Sequence, residues 1–308
     1  MPGLPDVHPR PGLPAAVTVY EVAARDGLQA EAALVPVEVK LELIDRLGDA
    51  GLTVIEATSF VAPTWVPQLA DAEQVMAGLQ RRPGVRYPVL TPNRRGFERA
   101  VAAGADEVAV FVSATETFAS RNLNTTLEGA IAMAGPVIEA ARGRGLRVRS
   151  YVSMAFGDPW EGRVDPGQTA AVTARLFALG CATVSLGDTI GVATPGQVQA
   201  VLQTVAAAGV PLTQVALHLH DTYGQALANV LAGLEAGVTE FDASAGGVGG
   251  CPFAKSATGN LATEDLVWML DGLGIEHGLD LSVLVQTSRW LADQLGRPSP
   301  SRVVAALG

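Results

Sequence analysis

The sequence predicts a (β/α)8 barrel of the TIM type with additional C-terminal helices, and three features carry that expectation. Eight short apolar, β-branched runs alternate with helical stretches, which implies a parallel sheet built with right-handed crossovers. A phrase recurs, made of a helical stretch, an Ala-Gly or Leu-Gly stop and an apolar run: "GDAGLTVIEATS", "VAAGADEVAVFVSA", "FALGCATVSLGD" and "LEAGVTEFDASAGG" all follow it. Polar residues then fall at the C-terminal ends of the runs, where such a barrel gathers its chemistry.

Taken in order, the strands are expected near 17–22, 53–58, 86–91, 107–113, 147–153, 183–188, 215–220 and 240–245. The glycine of each stop supplies the left-handed residue that ends a helix, and the apolar run after it reads as a strand covered on both faces. Asp165-Pro166 and Thr194-Pro195 each set an N-cap residue before a first-turn proline. A doubly wound open sheet is the alternative, but "ARDGLQAE" after the first strand carries no phosphate-binding glycine fingerprint. Further helices are expected around 262–274 and 281–295, to plug or cap the barrel or to form an oligomer contact. Residues 1–16, rich in proline, read as a disordered arm, and 17–308 as one barrel domain that includes the C-terminal helices from about 262.

Composition bounds the partners. A net charge of −10 leaves no basic stripe for nucleic acid or an anionic membrane surface. No apolar run is long and uncharged enough to span a bilayer, and the N-terminus lacks a basic stretch followed by an apolar one, as a secretory signal would have. Two cysteines, Cys181 and Cys251, do not make a disulfide framework, so a reducing cytoplasm is the expected setting.

Two of the four histidines, His218 and His220, stand one residue apart in "ALHLHDTYGQ". Residues two apart on a strand share a face, so both imidazoles are expected to point into the barrel mouth. They are either two ligands of one divalent ion or a satisfied buried pair. Asp26, after the first strand, would complete a two-histidine, one-carboxylate set suited to iron, zinc or manganese. An amide oxygen such as that of Asn260 would shift the preference toward magnesium or manganese.

Arg25 is either a buried ion-pair partner or a fixed guanidinium for a developing oxyanion. Glu56 lies in an apolar run, where an unpaired carboxylate is costly. Asp188, in "LGDTIG", is a candidate for chemistry or for capping its own turn. Cys251 sits in the glycine-rich "AGGVGGCPFAKSATGN" after the eighth strand, as an ordinary loop residue or as a thiol for proton exchange. Cys181 reads as core. Arg94, Arg95, Arg121, Arg163 and Lys255 are scattered loop cations that the sequence cannot rank.

The stretches "EVAARDGLQ", "GLTVIEATSFVAPTWVPQLAD", "YPVLTPN", "SLGDTIGVATPG", "HLHDTYGQALANVLAGLEAGV" and "GGVGGCPFAKSATGNLATEDLVWMLDGLGI" resemble the 3-hydroxy-3-methylglutaryl-CoA lyase (hydroxymethylglutaryl-CoA lyase) family of DRE-TIM metallolyases, nearly end to end. The resemblance implies cleavage of a CoA thioester into acetyl-CoA and acetoacetate, with magnesium or manganese held by Asp26, His218, His220 and Asn260. It further implies that Arg25, Asp26, Glu56, Asp188, His218 and Cys251 form the catalytic set, and a homo-oligomer, dimer or higher, is expected. Ala30 and Ala32 stand where that family commonly has asparagine and lysine, and Met154 and Asp158 where some relatives have cysteines. A lyase for a longer 3-substituted 3-hydroxyglutaryl-CoA is therefore an alternative. Synthases making isopropylmalate or homocitrate share the arginine–aspartate start and the histidine pair. They usually have glutamate where Leu28 stands, and they lack the cysteine-bearing glycine loop. A catalytically silent barrel is disfavoured because the whole presumed set is present.

Overall fold

The computed structural model describes residues 4–250 and 259–307. Eight parallel strands make the sheet: β1 (Thr18–Glu21), β2 (Thr58–Ser59), β3 (Val89–Leu90), β4 (Glu107–Ser113), β5 (Arg147–Ser153), β6 (Thr183–Asp188), β7 (Val215–Leu219) and β8 (Glu240–Ala243). From β2 to β8 each pairs with its sequence neighbour, and β1 pairs with β8 in register, Thr18 opposite Glu240 through Glu21 opposite Ala243. The seam between β1 and β2 is closed by Glu21 N–H to Val54 O, 3.1 Å, and Glu56 N–H to Glu21 O, 2.8 Å. The sheet is thus a barrel, as its alternating pattern predicts.

The strands β4, β5 and β6 coincide with the expected runs. β2 and β3 are shorter because proline at position 88 has no N–H to give the ladder, and the residues before each strand join by single bridges, Glu21 to Ile55 and Val54 to Arg86. Helices α1 (Val37–Asp49), α2 (Ala72–Gly78), α3 (Arg94–Ala102), α4 (Glu116–Leu123), α5 (Leu127–Gly143), α6 (Pro166–Leu179), α7 (Pro195–Ala207) and α8 (Ala226–Ala236) surround the barrel. Asp165 caps α6 by accepting from Gly167 N–H at 2.7 Å, whereas Thr194 precedes Pro195 without a side-chain cap bond. Gly180 and Gly237 end their helices at φ 100° and 95°, a region that costs a side chain but not glycine.

The main hydrophobic core lies between sheet and helices and includes Cys181, as expected. The barrel interior is different in kind: small clusters of Tyr20, Val22 and Val54, and of Leu90, Ala109 and Tyr151, share it with buried Glu56, Arg149, Asp242 and His218. Past β8 come α9 (Thr263–Leu273), α10 (Leu281–Leu295) and the unforeseen short α11 (Arg302–Leu307). α10 packs beside α1 and against the Ala245–Gly247 turn that follows β8. The proline-rich N-terminal segment runs extended but is tied down, by His8 N–H to Gly272 O at 2.8 Å and Glu276 N–H to Ala15 O at 2.9 Å. Those backbone bonds give it the order that its composition alone does not promise. Among the described residues, no helix is long and apolar enough to cross a membrane.

Candidate active site

β1 runs directly into a wide helical turn, Ala23–Gly27. On a strand Arg25 and Asp26 would point oppositely, but the turn brings both to the mouth of the barrel. Arg25 is buried there and bridges two carboxylates, with Nε 2.6 Å from Glu56 Oε2 and Nη1 2.5 Å from Asp26 Oδ1. Glu56 Oε2 also accepts from the Tyr151 hydroxyl at 3.0 Å, while its Oε1 is buried without a hydrogen-bond partner among the described residues. The guanidinium lies 5.2 Å from the Tyr151 ring centroid. Burial works against the charge of Arg25, but Glu56 and Asp26 outweigh it and keep the guanidinium firmly protonated. Burial pushes the Glu56 carboxyl up despite Arg25 beside it. Asp26 also resists desolvation and is held down at about 2 by Arg25 and the two imidazoles.

His218 and His220 do share the inward face. Their Nε2 atoms stand 3.2 Å apart, and His218 Nε2 lies 3.7 Å from Asp26 Oδ2. Ligand atoms of Asp26, His218 and His220 all fall within 4.8 Å of one another. Asn260 joins from the segment after the glycine loop, bridging backbone to backbone with His220. Its Nδ2 donates to Asp26 Oδ2 at 3.0 Å and to Val248 O at 3.1 Å, and its Oδ1 is buried with no partner among the described residues. Gly249 allows this approach, since a Cβ there would lie 2.5 Å from Asn260 Nδ2.

These residues fit a divalent ion. Two imidazole nitrogens 3.2 Å apart cannot both present lone pairs to each other without a proton or cation between them, and a carboxylate oxygen shares that space. Two imidazoles, one carboxylate and a spare amide oxygen form a mixed N/O donor set of the kind divalent cations take. Burial, and then the neighbouring His218, depress His220 to about 4, so it is a neutral ligand candidate near neutral pH.

The other expected residues fare differently. Asp188 is buried at the end of β6, but its Oδ1 accepts from Val192 N–H at 2.9 Å and its Oδ2 from Ala193 N–H at 3.1 Å, the turn-capping alternative. Burial raises its carboxyl to about 7 in spite of those bonds. Cys251 and Lys255 lie outside the described residues. The sequence reading passed over Tyr151, Arg149 and Asp242. Their signal was available, because each puts a polar group on the inward alternation of a buried strand.

An arginine bridging two carboxylates beside a histidine–aspartate cluster, all at the C-terminal mouth of a parallel barrel, defines a barrel enzyme with a candidate metal centre. The chain belongs to the HMGL-like family, whose model matches residues 16–291. It is 52% identical over 294 residues to the mitochondrial hydroxymethylglutaryl-CoA lyase of Rattus norvegicus, covering 96% of this chain and 90% of the relative. The hydroxymethylglutaryl-CoA lyase structure from Pseudomonas aeruginosa superimposes with a TM-score of 0.94 at 48% identity, over 96% of this chain and 98% of that one. An HMG-CoA lyase from Acinetobacter baumannii, solved in complex with coenzyme A and 3-methylmalate, gives a TM-score of 0.91 at 39% identity, covering 95% of each chain.

Proposed function

We propose that this protein is a divalent-metal-dependent carbon–carbon lyase that cleaves 3-hydroxy-3-methylglutaryl-CoA into acetyl-CoA and acetoacetate. The observation that carries the reading is the convergence of Arg25, Glu56, Asp26, His218, His220 and Asn260 at one barrel mouth in a member of this family. The ion we assign is magnesium or manganese, with Asp26, both histidines and the Asn260 amide oxygen as its ligands. When bound, such an ion supplies Lewis acidity toward the substrate's tertiary hydroxyl.

The protein's own groups account for the remaining chemistry. The hydroxyl proton leaves to the Asp26 carboxylate, since His218 has its Nδ1 against Asp242 and its Nε2 assigned to the ion. The C2–C3 bond then breaks, leaving a ketone at C3 and an enolate on the acetyl-CoA fragment. Arg25, fixed by Glu56 and Asp26, faces the developing thioester enolate oxygen with a charge that needs no reorganisation. Proton return to C2 completes acetyl-CoA, and Cys251 on the glycine loop is the residue we assign to that transfer. Asp188 holds the turn that follows β6 by accepting from Val192 and Ala193 N–H.

The test is release of acetoacetate from 3-hydroxy-3-methylglutaryl-CoA by enzyme supplied with Mg2+ or Mn2+, repeated after chelation. Turnover that disappears with chelator and returns with metal is expected. Absence of any metal-dependent product at high enzyme concentration would overturn the assignment.

A further inference from the structure

One layer below the cluster lies a buried arginine that the reaction does not use. Arg149 on β5 is 1% exposed and reaches across the barrel interior to β8. Its Nη1 donates to Asp242 Oδ2 at 3.1 Å, its Nη2 to Asp242 Oδ1, and its Nε to Glu240 Oε1 at 3.2 Å. The guanidinium is packed between the rings of Tyr20 and Tyr151, 3.8 and 4.7 Å from their centroids. Asp242 stands in register with His218 on the neighbouring strand; its Oδ2 lies 3.0 Å from His218 Nδ1 and accepts from Ser185 Oγ at 3.2 Å.

A guanidinium and a carboxylate this deep in a barrel are expensive to desolvate. What they accomplish is local to one imidazole. A carboxylate that already takes two guanidinium bonds is an acceptor only, so the nitrogen facing it must carry the proton. The opposite nitrogen of the ring is then a bare lone pair. His220 has no such anchor among the described residues, where its Nδ1 finds no partner.

We propose that Arg149 and Asp242 are positioning residues that hold His218 in its Nδ1–H tautomer, with the Nε2 lone pair aimed between Asp26 and His220. The inference rests on the reading of that cluster as a metal centre and adds the device that makes one of its ligands ready before the ion arrives. Partners behind metal-bound histidines commonly matter by about 10- to 100-fold in affinity.

The decisive variant is Asp242→Asn. Arg149 would still claim the side-chain oxygen, turning the amide NH2 toward His218 and forcing its proton onto Nε2. Two measurements on the metal-free and Mn2+-titrated protein read this directly. Histidine 15N chemical shifts are expected to show His218 protonated at Nδ1 in the wild type and at Nε2 in the variant. Mn2+ affinity, followed by electron paramagnetic resonance of the free ion, is expected to fall about 10- to 100-fold. Should Asp242→Asn fail to fold, Arg149→Met combined with Asp242→Leu removes both charges together, and the same loss of Mn2+ affinity is expected. A folded variant of either kind that binds Mn2+ like the wild type overturns the positioning role. A wild type that binds no Mn2+ overturns the metal-centre reading instead.

Discussion

At the scale of single residues, Arg25 and Glu56 make one unit and should fail as one. Glu56 is fully buried and its ion-pair partner among the described residues is Arg25, so Arg25→Leu leaves a buried carboxylate without that partner. Breaking a buried pair from one side costs about 3–5 kcal/mol. Adding Glu56→Gln to Arg25→Leu should therefore recover most of that stability in a denaturant melt. Turnover should not recover, because the stabilising charge is gone, and kcat should remain down by about 100- to 1,000-fold. A double variant regaining both stability and turnover would show Arg25 to be structural. This chemistry was partly legible. The spacing of His218 and His220 announced a shared face, and Arg25 beside Asp26 announced a charged barrel mouth. Asp242 and Arg149 carried an inward-facing signal, but their partners did not: Asp242 meets His218 through strand pairing 24 residues away, and Arg149 meets Asp242 across the barrel interior, 93 residues away. The commitment of Asp188 to its own turn is likewise a matter of loop path, which residue type alone leaves open.

At the scale of elements, strand positions follow from continuous apolar runs, and their exact lengths from backbone donors that a pattern does not count, as with Pro88 in the run at β3. The segment after β8 was read as a glycine loop, yet its described part is seated by buried carboxylates. Glu264 at the start of α9 accepts from Gly246 N–H at 3.0 Å and from the Ser288 hydroxyl of α10. Glu21 at the end of β1 accepts from Ala245 N–H at 3.0 Å and from Thr263 Oγ1 at 2.7 Å. Burial raises the Glu264 carboxyl from its ordinary 4.5 to about 8, against the pull of Ser288. The folded state therefore keeps a proton that the unfolded chain releases near 4.5. Its contribution to stability is complete below that range and is lost as pH rises through about 8. Thermal melts should show Tm falling across this interval, and Glu264→Gln, which stays uncharged, should flatten the decline. An unchanged slope in the variant would mean that other groups govern it.

At the scale of the whole molecule, the proposed ligands come from three separate places: the turn after β1, the end of β7 and the strand-like return at Asn260 that follows the glycine loop. An ion bound by all three would tie the barrel's first turn to its last segment, linking binding to global stability. A ligand that binds only the folded state at about 100 times its Kd adds about 2.7 kcal/mol. For a 308-residue chain unfolding with the usual entropy per residue, that corresponds to a Tm rise of about 4 °C. Metal-stripped wild type should therefore melt higher on addition of Mn2+ and return to its starting Tm with chelator. His220→Ala separates this coupling from general effects of divalent cations. Among the described residues the ring makes no anchoring bond through Nδ1, so its loss should change the metal-free Tm less than it changes the response to Mn2+. If the variant keeps the full Mn2+ increment, the stabilising ion sits elsewhere on this acidic protein and the histidine pair is not its site.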